Sequence, residues 1–173
     1  MALIVEDGSV VPNANGYISV AELDAYWLCR NVTLTQTDPE KEAAIIIATQ
    51  YVDLNNKWKG SICMSDQSLD WPRTGVMDDE GRIIPSFTIP DQLKNAVAEY
   101  TQRQLSADLQ PDVTDAGTLK KVKKKVDVIE TETEYQEGTG GYFGLRSYPL
   151  ADKYLIGLTR GGTGGNFGRV GNC

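Results

Sequence analysis

The sequence predicts a mainly α protein, a small helical bundle of about four helices with an extended β-strand or hairpin excursion and a flexible C-terminal arm. Three observations support this fold class. Helix-start signals followed by helical periodicity occur in three places before residue 111. The stretch "TLKKVKKKVDVIETETEYQEGTGG" alternates in character and is rich in β-branched residues, which favours strands. The last thirteen residues include six glycines, which is typical of a flexible arm.

The chain has 173 residues, and its organisation predicts a single domain with three parts. Residues 1–111 are expected to form a helical core with a long loop. Residues 112–147 are expected to form a charged strand and a glycine-rich loop, and residues 148–173 a short helix and an arm. A chain of this length buries roughly 70% of its unfolded surface, so it can form a substantial hydrophobic core.

The first helix is predicted from Val20 to Arg30. Ser19 and Glu22 have the spacing of a capping box, in which each side chain satisfies a backbone N–H group of the first turn. Leu23 and Trp27 follow at a four-residue interval, which places both on one face. This face is expected to pack on the core.

The second helix is predicted to end at Asn55 or Trp58. Asp38 is expected to be its N-cap, with Pro39 in the first helical position. The block "AAIIIA" at residues 43–48 is apolar nearly all round, which predicts a helix at the centre of the core.

Residues 60–90 lack periodicity and predict a long ordered loop or a short hairpin. We name residues 67–85 the strap. Within it, Trp71 is expected to anchor on the core and Arg73 to meet a carboxylate or a carbonyl. Residues 78–81, "DDEG", predict a turn. The residues expected to pack back on the helices are Ile83, Ile84 and Ile89. The strap is either pinned by its tryptophan alone, or it also presents Arg73 to a neighbouring subunit.

Two further helices are predicted after the strap. One begins at Asp91 and ends by Pro111, with apolar residues at three- and four-residue intervals. The other is short, with Pro149 near its start. Its apolar residues, expected on one side, are Leu150, Tyr154, Leu155 and Leu158.

Lysines and acids are segregated along the predicted strand. Lysines occupy positions 120, 121, 123, 124 and 125, and five acids follow between Asp127 and Glu137. Such a strand could pair with a second copy, stay solvated, or contact DNA. The net charge of −7 opposes a general affinity for nucleic acid, so any DNA contact needs this local patch. The residues expected at a subunit or partner interface are Trp71, Arg73, Lys121, Lys123, Lys125, Glu130, Glu132 and Glu134.

The chain contains no histidine, which removes the commonest general base and the commonest metal ligand. The glycine-rich stretches lack the lysine and hydroxyl residue of a phosphate loop, and "DDEG" lacks the full calcium-loop pattern. We therefore expect no enzyme, no metal and no cofactor. Three widely spaced cysteines, Cys29, Cys63 and Cys173, are expected to be free thiols.

No apolar run approaches the length that a bilayer requires, and the first residues do not resemble a signal peptide. We therefore expect no membrane association, and synthesis in the cytoplasm of the cell that makes the chain.

Four segments together carry a family resemblance: "NGYISVAELDAYW", "EKEAAIIIATQYVD" with Trp58 close behind, "LDWPRTGVMDDEGRIIP" and "IPDQLKNAVAEY". In this order they resemble the head-to-tail connector adaptors of tailed bacteriophages, some relatives of which are labelled DnaT-like single-stranded-DNA-binding proteins. The resemblance spans residues 15–100, and its most specific part is Trp71-Pro72-Arg73 with the turn that follows.

The resemblance implies a structural protein of the virion neck. Many copies, commonly twelve, would form a ring under the portal protein, extend the channel through which double-stranded DNA passes, and offer a platform to the tail or a second neck protein. The residues that would dock on the portal are Tyr148, Leu150, Tyr154, Leu155, Leu158, Arg160, Phe167 and Arg169. The alternative is a single-stranded-DNA-binding accessory protein that uses Lys120 to Lys125 and the tail from Arg160 to Arg169.

Overall fold

The computed structural model describes residues 2–110, 122–126, 129–133 and 148–160. The fold is mainly α, as predicted. The helices are α1 (Val20–Leu28), α2 (Asp38–Asn55), α3 (Asp91–Ser106) and α4 (Pro149–Leu155), which a 3-10 turn (Ile156–Leu158) extends. The strands are β1 (Ser61–Ile62), β2 (Arg73–Thr74), β3 (Val122–Val126) and β4 (Ile129–Thr133). The chain divides into a helical unit, Met1–Leu109 with Ser147–Cys173, and a hairpin unit, Gln110–Arg146.

Helix α1 begins as predicted and ends earlier. Ser19 and Glu22 form the capping box, with the Glu22 N–H donating to Ser19 Oγ and the Ser19 N–H to Glu22 Oε2. The helix ends at Leu28 rather than Arg30, because Asn31 adopts a left-handed backbone with a φ of 57°. Asparagine tolerates that conformation better than most residues, and it turns the chain out of the helix.

Helix α2 corrects the predicted cap. Thr37, not Asp38, is the N-cap, since it has the extended backbone that a cap requires, and Pro39 occupies the second helical position. The Glu40 carboxylate accepts from the backbone N–H and the hydroxyl of Thr37, both at 2.8 Å. The helix ends at Asn55, one of the two predicted ends.

The α2 helix is not buried all round. Ile47 is 42% exposed, so the apolar block has one side in solvent. The side facing the core carries Ala44, Ile45, Ala48, Tyr51 and Val52. Helix α3 begins at Asp91, as predicted, and packs against both α2 and α4.

Helix α4 begins at Pro149, as predicted, but its apolar residues do not share one side. Leu155 and Leu158 are buried in the core, whereas Leu150 is 50% exposed. The reason is their spacing, because Leu150 and Leu155 are five residues apart, which is about 140° around an α-helix. The 3-10 turn then places Leu158 on the same side as Leu155.

The strap forms the outer layer of the helical unit. Strands β1 and β2 pair antiparallel, with Ser61 opposite Thr74 and Ile62 opposite Arg73. The predicted turn is present, since the Gly81 N–H donates to Asp78 O at 3.0 Å. Trp71 is fully buried and Ile89 is buried, as predicted.

The strap also contradicts one packing prediction. Ile83 is 69% exposed, and only Ile84 and Ile89 pack inward. Ile83 bridges to Met77 across the turn, and Met77 is exposed as well. Because neighbouring residues of an extended chain face opposite ways, turning Ile84 inward turns Ile83 outward.

The hairpin unit contains strands β3 and β4, paired antiparallel from Val122 opposite Thr133 to Val126 opposite Ile129. The predicted β excursion is therefore a two-stranded hairpin. It places the lysine-rich stretch directly beside the glutamate-rich one.

We predict that Trp71→Ala lowers the free energy of unfolding by about 3–5 kcal/mol, because it removes a fully buried indole and leaves a cavity. Chemical denaturation followed by circular dichroism measures this change. The matched control is Ile83→Ala on the exposed side of the same strap, which should change stability by less than about 0.5 kcal/mol. Equal losses in the two variants would show that the strap is not anchored through Trp71.

Candidate functional site

The attachment of the strap to the helices centres on one carboxylate. Asp53, near the end of α2, accepts the hydroxyl of Tyr17 at 2.8 Å on each of its oxygens. It also accepts the backbone N–H of Asp70 at 3.2 Å. The backbone N–H of Trp71 donates in turn to the Tyr17 hydroxyl oxygen at 3.1 Å. Three segments distant in sequence are thus joined at a single side chain.

Burial raises the pKa of Asp53 to about 7, although the hydrogen bonds from Tyr17 and the Asp70 N–H act in the opposite direction. Burial and the nearby Asp53 also raise the pKa of Tyr17 well above its usual value. The phenol therefore stays a donor at any ordinary pH. Asp53 is the group of this cluster whose charge changes near neutrality.

Two tryptophans form the apolar side of the attachment. The rings of Trp58 and Trp71 meet edge to face, with centroids 5.8 Å apart and planes at 86°. The Trp58 indole N–H donates to Asp70 Oδ2 at 3.1 Å. The peptide bond between Trp71 and Pro72 is cis.

Arg73 belongs to the strap and joins it to the residues just before β1. Its guanidinium donates to three backbone carbonyls, at 2.8 Å to Lys59 O, 3.0 Å to Asp70 O and 3.2 Å to Gly60 O. The prediction that Arg73 meets a carbonyl is therefore confirmed. Burial lowers the pKa of Arg73. Presentation of Arg73 to a neighbouring subunit stays a prediction, but its described contacts serve its own chain.

The C-terminal segment of the described chain is hydrogen-bonded to residues 57–60, just before the strap. The Arg160 N–H donates to Lys57 O, and its guanidinium donates to Gly60 O, each at 2.6 Å. The Lys59 N–H donates to Leu158 O at 2.9 Å, and its ammonium reaches Gly157 O at 2.7 Å. Residues 57–60 therefore hold both the strap and the end of the described chain.

The residues predicted to dock on a portal do not form one surface. Leu155 and Leu158 are buried and stabilise their own core, so they are not free to contact a partner. Tyr148 and Tyr154 are half-buried, and the Tyr148 hydroxyl donates to Leu109 O at 3.1 Å. Of this set, Leu150 and Arg160 are exposed. The remaining two, Phe167 and Arg169, lie outside the described residues.

The hairpin register brings together several residues of the predicted interface. Lys123 is opposite Glu132, Lys125 is opposite Glu130, and Lys124 is opposite Thr131. Lys121 and Glu134 lie outside the described residues. The register therefore pairs lysine positions of β3 with glutamate positions of β4 within one chain. Pairing with a second copy, a solvated strand and contact with DNA stay predictions.

The described residues include two free thiols and a groove. Among them, no three histidine, cysteine, aspartate or glutamate side chains are grouped to hold a metal ion. Cys29 and Cys63 are free thiols, as predicted, and Cys173 lies outside the description. A groove of about 430 Å³ runs between α1 and α3, lined in part by Tyr26, Arg30 and Lys94. No helix in the described part of the chain is long and apolar enough to cross a membrane.

Sequence reasoning missed the Tyr17–Asp53 pair. Neither residue carried a signal in the sequence that would pair it with the other. The two residues are 36 positions apart, and neither belongs to a recognisable motif. Only the burial of Asp53 against the strap distinguishes it from an ordinary surface aspartate of a helix.

We predict that Arg73→Lys lowers the free energy of unfolding by about 1–3 kcal/mol, because an ammonium cannot reach three carbonyls with the fork geometry of a guanidinium. Thermal and chemical denaturation measure the loss. Arg82→Lys, at an exposed position of the same strap, is the matched control and should be nearly neutral. A neutral Arg73→Lys would show that its three hydrogen bonds contribute little.

The sequence matches a family model over residues 1–171, which includes the strap and the hairpin alike. No curated protein and no solved structure matches the chain. The family match supports the DnaT-like part of the resemblance and gives no separate support to the phage connector part. The chain belongs to the family described as "Putative DnaT-like ssDNA binding protein".

Proposed function

We propose that this protein binds single-stranded DNA through the lysine-rich strand of its hairpin unit. The observation that carries the proposal is the family match, whose description names single-stranded DNA binding and whose span includes the whole hairpin. The lysines from position 120 to position 125 are the densest positive charge in the sequence. Lysine ammonium groups bind phosphates as point charges without reading the bases.

The charge of the helical unit restricts where DNA can bind. Residues 1–110 and 148–160 together carry a net charge of −7, which equals that of the whole chain. Its aromatic side chains Tyr17, Trp58, Trp71 and Tyr100 are buried and cannot stack on bases, whereas Phe87 is 55% exposed. The hairpin is close to neutral overall, with its positive charge concentrated in β3. A DNA strand would therefore approach β3 and avoid the helical unit.

The register limits the strength of the proposed contact. Lys123 and Lys125 each have a glutamate directly opposite, whereas Lys124 faces Thr131. Neighbouring carboxylates reduce the positive potential that a phosphate experiences. We therefore expect weak binding at physiological salt, with a strong dependence on ionic strength and little sequence preference.

We predict that changing Lys121, Lys123 and Lys125 to glutamine abolishes most binding to an oligothymidylate. It should also reduce the slope of log affinity against log salt by about 2, at roughly 0.7 for each lost phosphate contact. Fluorescence anisotropy across a salt series measures both quantities. The charge-matched control, Lys57, Lys94 and Lys153 to glutamine in the helical unit, should leave binding unchanged.

Removing the negative charges of the hairpin provides a second test of DNA binding. Glutamine at Glu130, Glu132 and Glu134 should strengthen binding, because it removes the carboxylates of the partner strand and leaves the lysines. Absence of binding by the unchanged protein even at low salt would eliminate the proposal. Equal effects of the lysine variants in the two units would point to nonspecific attraction.

A second candidate function is a head-to-tail adaptor that assembles with copies of itself under a phage portal and also contacts a tail or second neck protein. The observation that favours it is a set of exposed apolar residues in and around the strap, between residues 62 and 87. Large apolar side chains are exposed there at Ile62, Met64, Met77, Ile83 and Phe87. Several exposed apolar residues from one segment are typical of a protein contact surface, and methionine adapts to varied partners. Binding of single-stranded DNA gives no reason for the exposed isoleucines and methionines among them.

We predict for this candidate that the protein, mixed with the portal protein of the same phage, adds a ring of matching symmetry in electron micrographs. The variant Met77→Glu with Ile83→Glu should prevent the added ring while the helical content is retained. A protein that stays monomeric at high concentration and never associates with portal or virion would rule out the adaptor.

A further inference from the structure

The strap is held to α2 by hydrogen bonds that all depend on one largely buried carboxylate. The Tyr17 hydroxyl and the Asp70 N–H both donate to Asp53, and the Trp71 N–H reaches it through the oxygen of Tyr17. The strap contributes two consecutive backbone N–H groups to this arrangement. Asp53 is half-buried in this arrangement.

The titratable and charged groups around Asp53 come from two packed segments. Tyr17 comes from the chain before α1, and its hydroxyl touches the carboxylate. Asp70 and Arg73 come from the strap, and their charges act on Asp53 in opposite directions. The Arg73 guanidinium is directed to the carbonyls of Lys59, Gly60 and Asp70, so it does not form an ion pair with Asp53. Among the described residues, the partly buried carboxylate thus has no directly paired cation.

We propose that Asp53 is a proton-operated latch, which holds the strap tightly when it is protonated and loosens it when it is ionised. The proposal goes beyond DNA binding or ring assembly and depends on neither. A strap that lifts from α2 would expose Trp71 and Val76, which the closed form buries. It would also let water reach the carboxylate.

The direction of the pH effect follows from the linkage between proton binding and closure of the strap. Burial under the closed strap raises the pKa of Asp53 to about 7, whereas a carboxyl in water has a value near 3.8. The closed state therefore binds the proton more tightly than the open state does, and protonation favours closure. The extra stability of the closed strap is fully present below pH 3.8. It declines as the pH rises and is absent above about pH 7. Protonation does not break the latch, because a neutral carboxyl can still accept from Tyr17 and the Asp70 N–H.

Hydrogen exchange of the Asp70 and Trp71 amides tests the latch in the intact chain without DNA. After correction for intrinsic exchange, protection of the two amides should fall about thirtyfold between pH 5.5 and pH 8. Asp53→Asn removes the titrating group and should abolish this dependence. Asp70→Asn, the matched control on the neighbouring carboxylate, should retain most of it.

A direct titration keeps the proposal testable if Asp53→Asn fails to fold. The carboxyl carbon of Asp53, followed by nuclear magnetic resonance in the unchanged protein, should titrate near neutral pH. Titration near pH 4, or equal pH dependence of strap protection in the unchanged protein and Asp53→Asn, would overturn the latch. Neither result bears on DNA binding, so the two proposals fail independently.

Discussion

Docking of the strap on α2 is the interaction on which the helical unit depends. A buried carboxylate, a tyrosine hydroxyl and two backbone N–H groups meet at one point, and the indole of Trp71 fills the space beside them. An unpaired polar group in this position would cost more than a typical hydrogen bond contributes. The cluster is therefore highly specific, since the strap can dock in only one register. Loss of that register would also separate β2 from its neighbour β1.

The cluster is not fully satisfied. Among the described residues, Trp71 Nε1 is buried without a hydrogen-bond partner, and so is Thr49 Oγ1 in α2. Each unpaired group offsets part of the hydrophobic gain from burial. A tightly packed loop with unmet polar atoms is held less firmly than its contact area alone suggests.

Local signals in the sequence predicted much of the fold. The starts of α1, α3 and α4 were correct because a capping box and two proline signals act within a few residues. The cap of α2 was misplaced by one residue, since Thr37 and Asp38 are both good caps and only the backbone angles distinguish them. Burial was predicted less well. Whether Ile47, Ile83 or Leu155 faces solvent depends on neighbours distant in sequence, which periodicity cannot identify.

The candidate site was likewise predicted only where residue type or composition gave a local signal. Composition identified the lysine strand, and the tryptophan and arginine of the strap stood out by residue type. The partner of each lysine in the hairpin could not be predicted, because it depends on a register set by the turn between β3 and β4. Asp53 could not be identified at all, since its environment is made by Tyr17 and the strap rather than by its sequence neighbours.

The carbonyl of Gly60 has a mechanical consequence. It accepts from the guanidinium of Arg73 inside the strap and from that of Arg160 at the end of the described chain. Glycine is required there, because its φ is +66° and a Cβ atom would lie 2.3 Å from Thr74 O. A pull on the chain beyond Arg160 would thus load this oxygen before it strained α4. Tension at that end would be transmitted to the strap rather than to the helices.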